Sequence, residues 1–135
     1  MPDGSDRVEE LTARAFVARA RRERILALLS TPPGRVKLRR LLAHCDCFDE
    51  RFVVSIRADR QDAVSVEALL RSLGAGPDCQ LLAEADAIDG RTMPLDEALE
   101  SVVGLSVPAV VICVPGRLAY FEGEEPGARF VLRRG

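Results

Sequence analysis

His44-Cys45-Asp46-Cys47 is the string in this chain that comes nearest to a metal-ligand set. Histidine and thiolate at close spacing suit zinc, and a structural zinc takes four ligands. Cys45 and Cys47 flank a single residue, so in an extended segment both side chains point the same way. The fourth ligand would have to be Cys79 or Cys113, each of which falls in an expected strand. The Cys-x-x-Cys spacing of zinc knuckles is absent. The simpler reading is a histidine at a helix end beside ordinary buried cysteines. A Cys45–Cys47 redox pair would be strained and readily reduced. His44 is the only histidine, so a Cys–His nucleophile needs Cys79 or Cys113 beside it. Cys113 sits between Ile112 and Val114 and reads as core. No Gly-x-Ser-x-Gly elbow, dinucleotide loop or phosphate-binding Gly-x-x-x-x-Gly-Lys loop occurs. No cofactor is expected.

A second kind of chemistry lies in the arginines. Between Arg14 and Arg40 stand Arg14, Arg19, Arg21, Arg22, Arg24, Arg35, Lys37, Arg39 and Arg40, against one acid, Glu23. Arginine makes bidentate contacts to carboxylate and phosphate. Arg14, Arg21, Arg24, Arg35, Lys37, Arg39 and Arg40 are therefore the candidate contacts to an anionic partner. Two basic helices joined by a turn resemble part of a helix-turn-helix, but a strand follows where a recognition helix should stand. The aromatics are few, with five Phe, one Tyr and no Trp. Single-strand binders stack bases on exposed rings, so the chain reads against nucleic acid and towards an acidic protein surface or a second copy of itself.

A third arrangement follows from topology. Ligands of open α/β sheets bind beyond the carboxyl ends of the parallel strands. Asp59 and Arg60, then Glu84, Asp86, Asp89 and Arg91, would gather there. Asp59, Asp86 and Asp89 would supply acids, and Arg60 or Arg91 would hold an anionic substrate. Loops are ordinarily rich in Asp and Gly, and Asp89-Gly90 reads equally well as a turn.

The elements that must position these groups are legible from periodicity. Val8, Leu11, Ala15, Ala18, Arg22, Ile25 and Leu29 recur at steps of three and four, which predicts one long helix over Asp6–Ser30. Thr31-Pro32-Pro33-Gly34 ends it. A second helix follows at about Arg35–His44. Alternation at Phe52, Val54 and Ile56 predicts a strand over Arg51–Ala58. Gln61–Leu73 is a helix closed by Gly74, Asp78–Ala83 a strand, Ala85–Pro94 a loop, and Leu95–Val103 a helix. Pro108–Val114 is a continuous apolar strand, suited to a sheet centre. Arg117–Glu122 and Ala128–Arg133 return as hairpin strands. Val107-Pro108 leading into that strand, then Pro115-Gly116 and a hairpin partner, is similar to the second half of a thioredoxin-like domain. That likeness covers about a third of the chain, without a Cys-x-x-Cys motif or a final helix.

These elements predict one α/β domain over residues 1–135. A flexible start (1–5) and a basic helical pair (6–44) precede a sheet-bearing core (51–135). Two β-α-β units would make three strands parallel, with an antiparallel β-meander completing a mixed five-stranded sheet. A chain of 135 residues, 47% hydrophobic and 30% charged, can bury such a core without disulfide staples. No apolar stretch follows Met1–Asp6, and the longest apolar run is broken by Pro108, so a cytosolic protein outside the membrane is expected. The net charge of -2 hides a split: residues 1–60 carry 13 basic and 9 acidic side chains, and residues 61–135 carry 6 and 12. The pattern favours a non-catalytic binding or regulatory module with a basic helical face. An acidic cleft serving an enzyme or a small-anion binder is the alternative.

Overall fold

The structure, a computed structural model, describes residues 4–44, 46–105, 107–124 and 128–134. Three helices come first: α1 (Gly4–Phe16), α2 (Arg19–Leu29) and α3 (Pro32–Leu41). Then follow β1 (Val53–Ser55), α4 (Ala63–Ser72), β2 (Asp78–Ala83), β3 (Thr92–Pro94), α5 (Leu95–Val102), β4 (Ala109–Val114), β5 (Leu118–Glu122) and β6 (Arg129–Arg133). The described residues thus form five α-helices and one six-stranded sheet, ordered β1-β6-β5-β4-β2-β3, in which every pairing is antiparallel.

The expected mixed five-stranded sheet with three parallel strands is therefore wrong, and β3 is the reason. Thr92–Pro94 lies within the segment read as a loop, yet it pairs back along β2 through Cys79↔Met93. That short return adds one pass of the chain across the sheet. Without it, α5 would return the chain so that β4 ran parallel to β2. With it, β3 and α5 together bring β4 in antiparallel, at Leu81↔Val111. β1 and β2 do run the same way, but β6, β5 and β4 separate them. The β4–β5 hairpin forms around Pro115-Gly116 as expected, inside a sheet with no parallel pairing.

Strand alternation makes two apolar faces. Ala109, Val111, Leu118, Tyr120 and Val131 face α4 and α5, which contribute Val66, Leu70, Leu95, Leu99 and Val102. Val110, Ile112, Ala119, Phe121 and Leu132 face the N-terminal helices, which contribute Phe16, Ile25, Leu28, Leu29 and Leu38. All five residues of β5 are buried, as befits a strand covered on both sides.

The single long helix over Asp6–Ser30 is also corrected. It breaks at Val17–Ala18, where the backbone pairs with the segment before β1. Val17 bridges Phe48, the Ala18 N–H donates to the Cys47 carbonyl at 2.7 Å, and the Asp49 N–H donates to the Phe16 carbonyl at 2.8 Å. No glycine or proline marks the break; a tertiary contact wins over local propensity. The helical pair is thus a trio. At the next turn Thr31 caps α3 by accepting from the Gly34 N–H at 3.1 Å. A side chain at Gly34 would strike the Leu28 carbonyl, so only glycine lets α3 start this close to α2.

Candidate functional site

Part of each of the two rival sites of the sequence meets here, Arg35 and Arg39 against Asp86 and Asp89. Arg35, one turn into α3, donates through Nε and Nη2 to both oxygens of Glu9 on α1, at 2.9 and 2.7 Å. Its Nη1 and Nη2 donate to both oxygens of Asp89, at 2.6 and 2.9 Å. One turn further on, Arg39 donates to the carbonyls of Ala83 and Glu84 and to Asp86 (2.7, 2.9 and 2.6 Å), and its Nε lies 3.2 Å from Asp89. Asp89 also accepts from the Ala83 N–H at 3.0 Å, closing the edge of β2 where β3 has ended. Three elements meet here: α1, α3 and the loop after β2. The Glu9 side chain is 2% exposed and that of Asp89 is 9%.

Hydrogen bonds to Glu9 and Asp89 hold the Arg35 guanidinium above its ordinary pKa. Burial alone would raise Asp89. The hydrogen bonds from Arg35 and the Ala83 N–H, with the charges of Arg35 and Arg39, outweigh burial and hold its carboxyl below the usual range. The charges of Arg35 and Arg39 are thus met within the molecule by Glu9, Asp86 and Asp89.

The rest of the expected cleft does not join this cluster. Asp59 and Arg60 follow β1, four strand positions from β2, which is roughly 19 Å at the usual interstrand spacing. Asp59 pairs there with Arg57 at 3.2 Å. Arg91 lies two residues beyond Asp89, but its exposed side chain turns to the Ala87 carbonyl, at 3.5 Å. Beyond β4, Val114 carries the chain to the opposite end of the sheet, because β4 runs against β2.

The remaining cations divide by helix. Arg14 pairs with Glu10 on α1 at 2.8 Å. Among the described residues, Arg21, Arg24, Lys37 and Arg40 have no ion pair. Arg40 borders a shallow depression shared with Arg39, Glu84 and Asp86. Arg21 and Arg24 line a groove of about 410 Å³ between α2 and α3. Its apolar lining is Ile25 and Leu28 from α2 with Leu38 and Leu41 from α3, and His44 and Asp46 also line it. α2 has no fully buried residue, so its apolar side chains are only half covered. Leu41 is 41% exposed. Beneath this groove, a separate cavity of about 40 Å³ lies between the helices and the sheet, with an apolar lining and Glu9 at its wall.

His44 ends the 3-10 turn Leu42–His44 that follows α3, its side chain 76% exposed and 3.5 Å from Glu124 of the β5–β6 turn. Cys47 is buried, and Cys45 lies outside the described residues, as do the zinc and redox readings that rest on it. Among the described residues no three of His, Cys, Asp and Glu are grouped to hold a metal. Cys79 and Cys113 pack on the α4–α5 face of the sheet, away from His44. Burial pushes the Cys79 thiol up to about 11 and the Cys113 thiol up to about 12.

One polar centre, at Glu122, was missed by the sequence reading. Glu122 is fully buried. Its Oε1 accepts from the Tyr120 hydroxyl at 2.9 Å and the Gly104 N–H at 3.1 Å, with Arg129 Nε at 3.2 Å. Burial, with the carboxylate beside it, holds the Tyr120 hydroxyl above its usual range. The centre ties the turn after α5 to β5 and β6. The period-2 alternation from Leu118 through Tyr120 was the signal that placed Glu122 on the inner face.

No helix among the described residues is long and apolar enough to cross a membrane. No protein-family model matches this chain, and no match is found among curated proteins or among solved structures.

Proposed function

We propose that this chain is a non-catalytic binding module and that the groove between α2 and α3 takes an acidic segment of a partner protein. The observation that carries this reading is the contrast between two sets of cations. Arg35 and Arg39 are consumed by Glu9, Asp86 and Asp89. Arg21 and Arg24, in the same basic stretch, have no ion pair among the described residues and stand over exposed apolar surface. Apolar lining with charged rim is the anatomy of a protein contact, where rim charges steer and select while the apolar lining supplies affinity.

Charge reversal at Arg21 and Arg24 is the test. Both residues are exposed, so Arg21→Glu/Arg24→Glu keeps the melting temperature of the parent. Binding of an acidic amphipathic peptide, followed by fluorescence anisotropy, should fall more than tenfold in the variant and weaken as salt rises. Binding unchanged by the reversal overturns the reading.

A further inference from the structure

We infer that the segment taken by the α2–α3 groove is an α-helix that carries its apolar anchors and its acids on one contact face. This inference rests on the binding reading above and sharpens it. The walls of the groove are its first support. α2 and α3 are consecutive helices joined by two residues, so their main-chain groups are bonded within each helix. An extended peptide laid between them would find no sheet edge for its own N–H and C=O groups, and those over Ile25, Leu28, Leu38 and Leu41 would lose water without gaining a partner. A polyproline segment needs a groove lined by Trp, Tyr or Phe, and none of these lines this one among the described residues. A helix satisfies its own backbone and lays one apolar stripe into the groove.

The order of residues along α2 sets the second half of the inference. Arg21, Arg24, Ile25 and Leu28 follow the i, i+3, i+4, i+7 pattern of one helical face. Arg21 and Leu28 are thus seven residues apart, about 10 Å along the axis at 1.5 Å per residue. A partner helix lying beside α2 places its acids one to two turns from its apolar anchors. A second copy of this chain does not supply that helix through α5, its own acidic helix, because Leu95, Ala98, Leu99 and Val102 of α5 are all buried in the core.

Three labelled 14-residue peptides of equal charge test the inference. The first carries apolar residues and two acids on one helical face in the order described. The second permutes the same residues around the helix. The third is the first with a central proline. The measurements are anisotropy and circular dichroism with the parent chain, with Arg21→Glu/Arg24→Glu and with Leu41→Asp, an exposed position of the apolar lining.

The expected result is binding of the first peptide, at least tenfold weaker binding of the other two, a gain of helical signal on binding, and loss with both variants. Equal binding of all three peptides, lost on charge reversal, overturns the helix and leaves the acidic-partner reading standing. Binding of the first peptide that ignores both variants, or no binding at all, overturns the reading and the inference together.

Discussion

Arg35→Met is the most exacting perturbation the structure offers. Methionine keeps the length and apolar stem of the side chain and removes four hydrogen bonds, two to Glu9 and two to Asp89. Asp89 keeps Arg39 and the Ala83 N–H. Glu9 is left as a buried charge, its side chain 2% exposed, with no cation beside it. Removing one member of a buried pair costs about 3–5 kcal/mol. The Arg35 side chain is itself 21% exposed, so the lower end, about 3 kcal/mol, applies. At about 2.1 cal/mol/K per residue, unfolding 135 residues carries about 0.28 kcal/mol/K, and the melting temperature falls by about 11 °C.

The pH dependence has a definite sign. An unpaired buried carboxyl has a raised pKa in the folded state, so it destabilises the variant at neutral pH and the penalty fades as pH falls through that raised value. In the parent, Asp89 is depressed. Its contribution is complete above the unfolded pKa of about 3.9 and is lost only as pH falls through its folded value. The gap between parent and Arg35→Met is therefore widest at pH 7 and narrows at pH 5. The double variant Arg35→Met/Glu9→Leu, which removes the stranded charge, recovers more than half of the loss. Thermal melts of the four proteins of the cycle at both pH values decide it. A variant within 3 °C of the parent at pH 7, or a deficit unchanged at pH 5, refutes the argument.

Three other outcomes follow from sites described above. Tyr120→Phe removes a donor from the fully buried Glu122 and should lower stability by about 1–3 kcal/mol in urea titrations; an unchanged midpoint would mean that the hydroxyl is dispensable. Gly104 has φ +78° and gives its N–H to Glu122, so Gly104→Ala should cost roughly 1–2 kcal/mol by the same measurement, against near-neutrality if the turn relaxes. Cys79 and Cys113 are free thiols held protonated by burial at pKa values of about 11 and 12, so iodoacetamide at pH 8 should spare both in the folded protein and label both in urea. Peptide masses report each cysteine separately, and rapid native labelling of either contradicts its burial.

The apolar periodicities placed most elements correctly, because strand alternation and the i, i+3, i+4 spacing follow burial directly. α4, β2, α5, β4, β5 and β6 all stand within a few residues of their expected positions. Direction was another matter. A three-residue strand, Thr92-Met93-Pro94, with one buried residue between two exposed ones, is too short to signal itself by pattern, and missing it reversed β4 relative to β2. The N-terminal face failed for a different reason. The stripe sought in α1 was apolar and ran through Leu11, which is 42% exposed. Ala15 of that stripe is buried and Val8 packs on the core, but the face is completed by Glu9, Thr12, Ala13 and Phe16, which the stripe left out. A buried glutamate on that face makes sense only with Arg35, 26 residues away, and no local pattern announces such a pairing. For the same reason Arg35 and Arg39 could not be told from Arg21 and Arg24. All four are arginines in a basic stretch, and only tertiary structure separates the paired from the unpaired.

The seating of β1 at the far edge of the sheet has a kinetic consequence. Its Val54 pairs with Val131 of the last strand, and Arg134 just beyond donates to the Ala15 carbonyl at the end of α1. Hairpins such as β4–β5 and β5–β6 close over short loops, whereas β1 docks only after nearly the whole chain has found its place, and loop-closure entropy puts such contacts late. Weakening Val54↔Val131 should then hasten unfolding while leaving the folding rate almost untouched. In stopped-flow measurements on Val54→Ala, a change confined to the folding limb would instead put this long-range clasp in the nucleus.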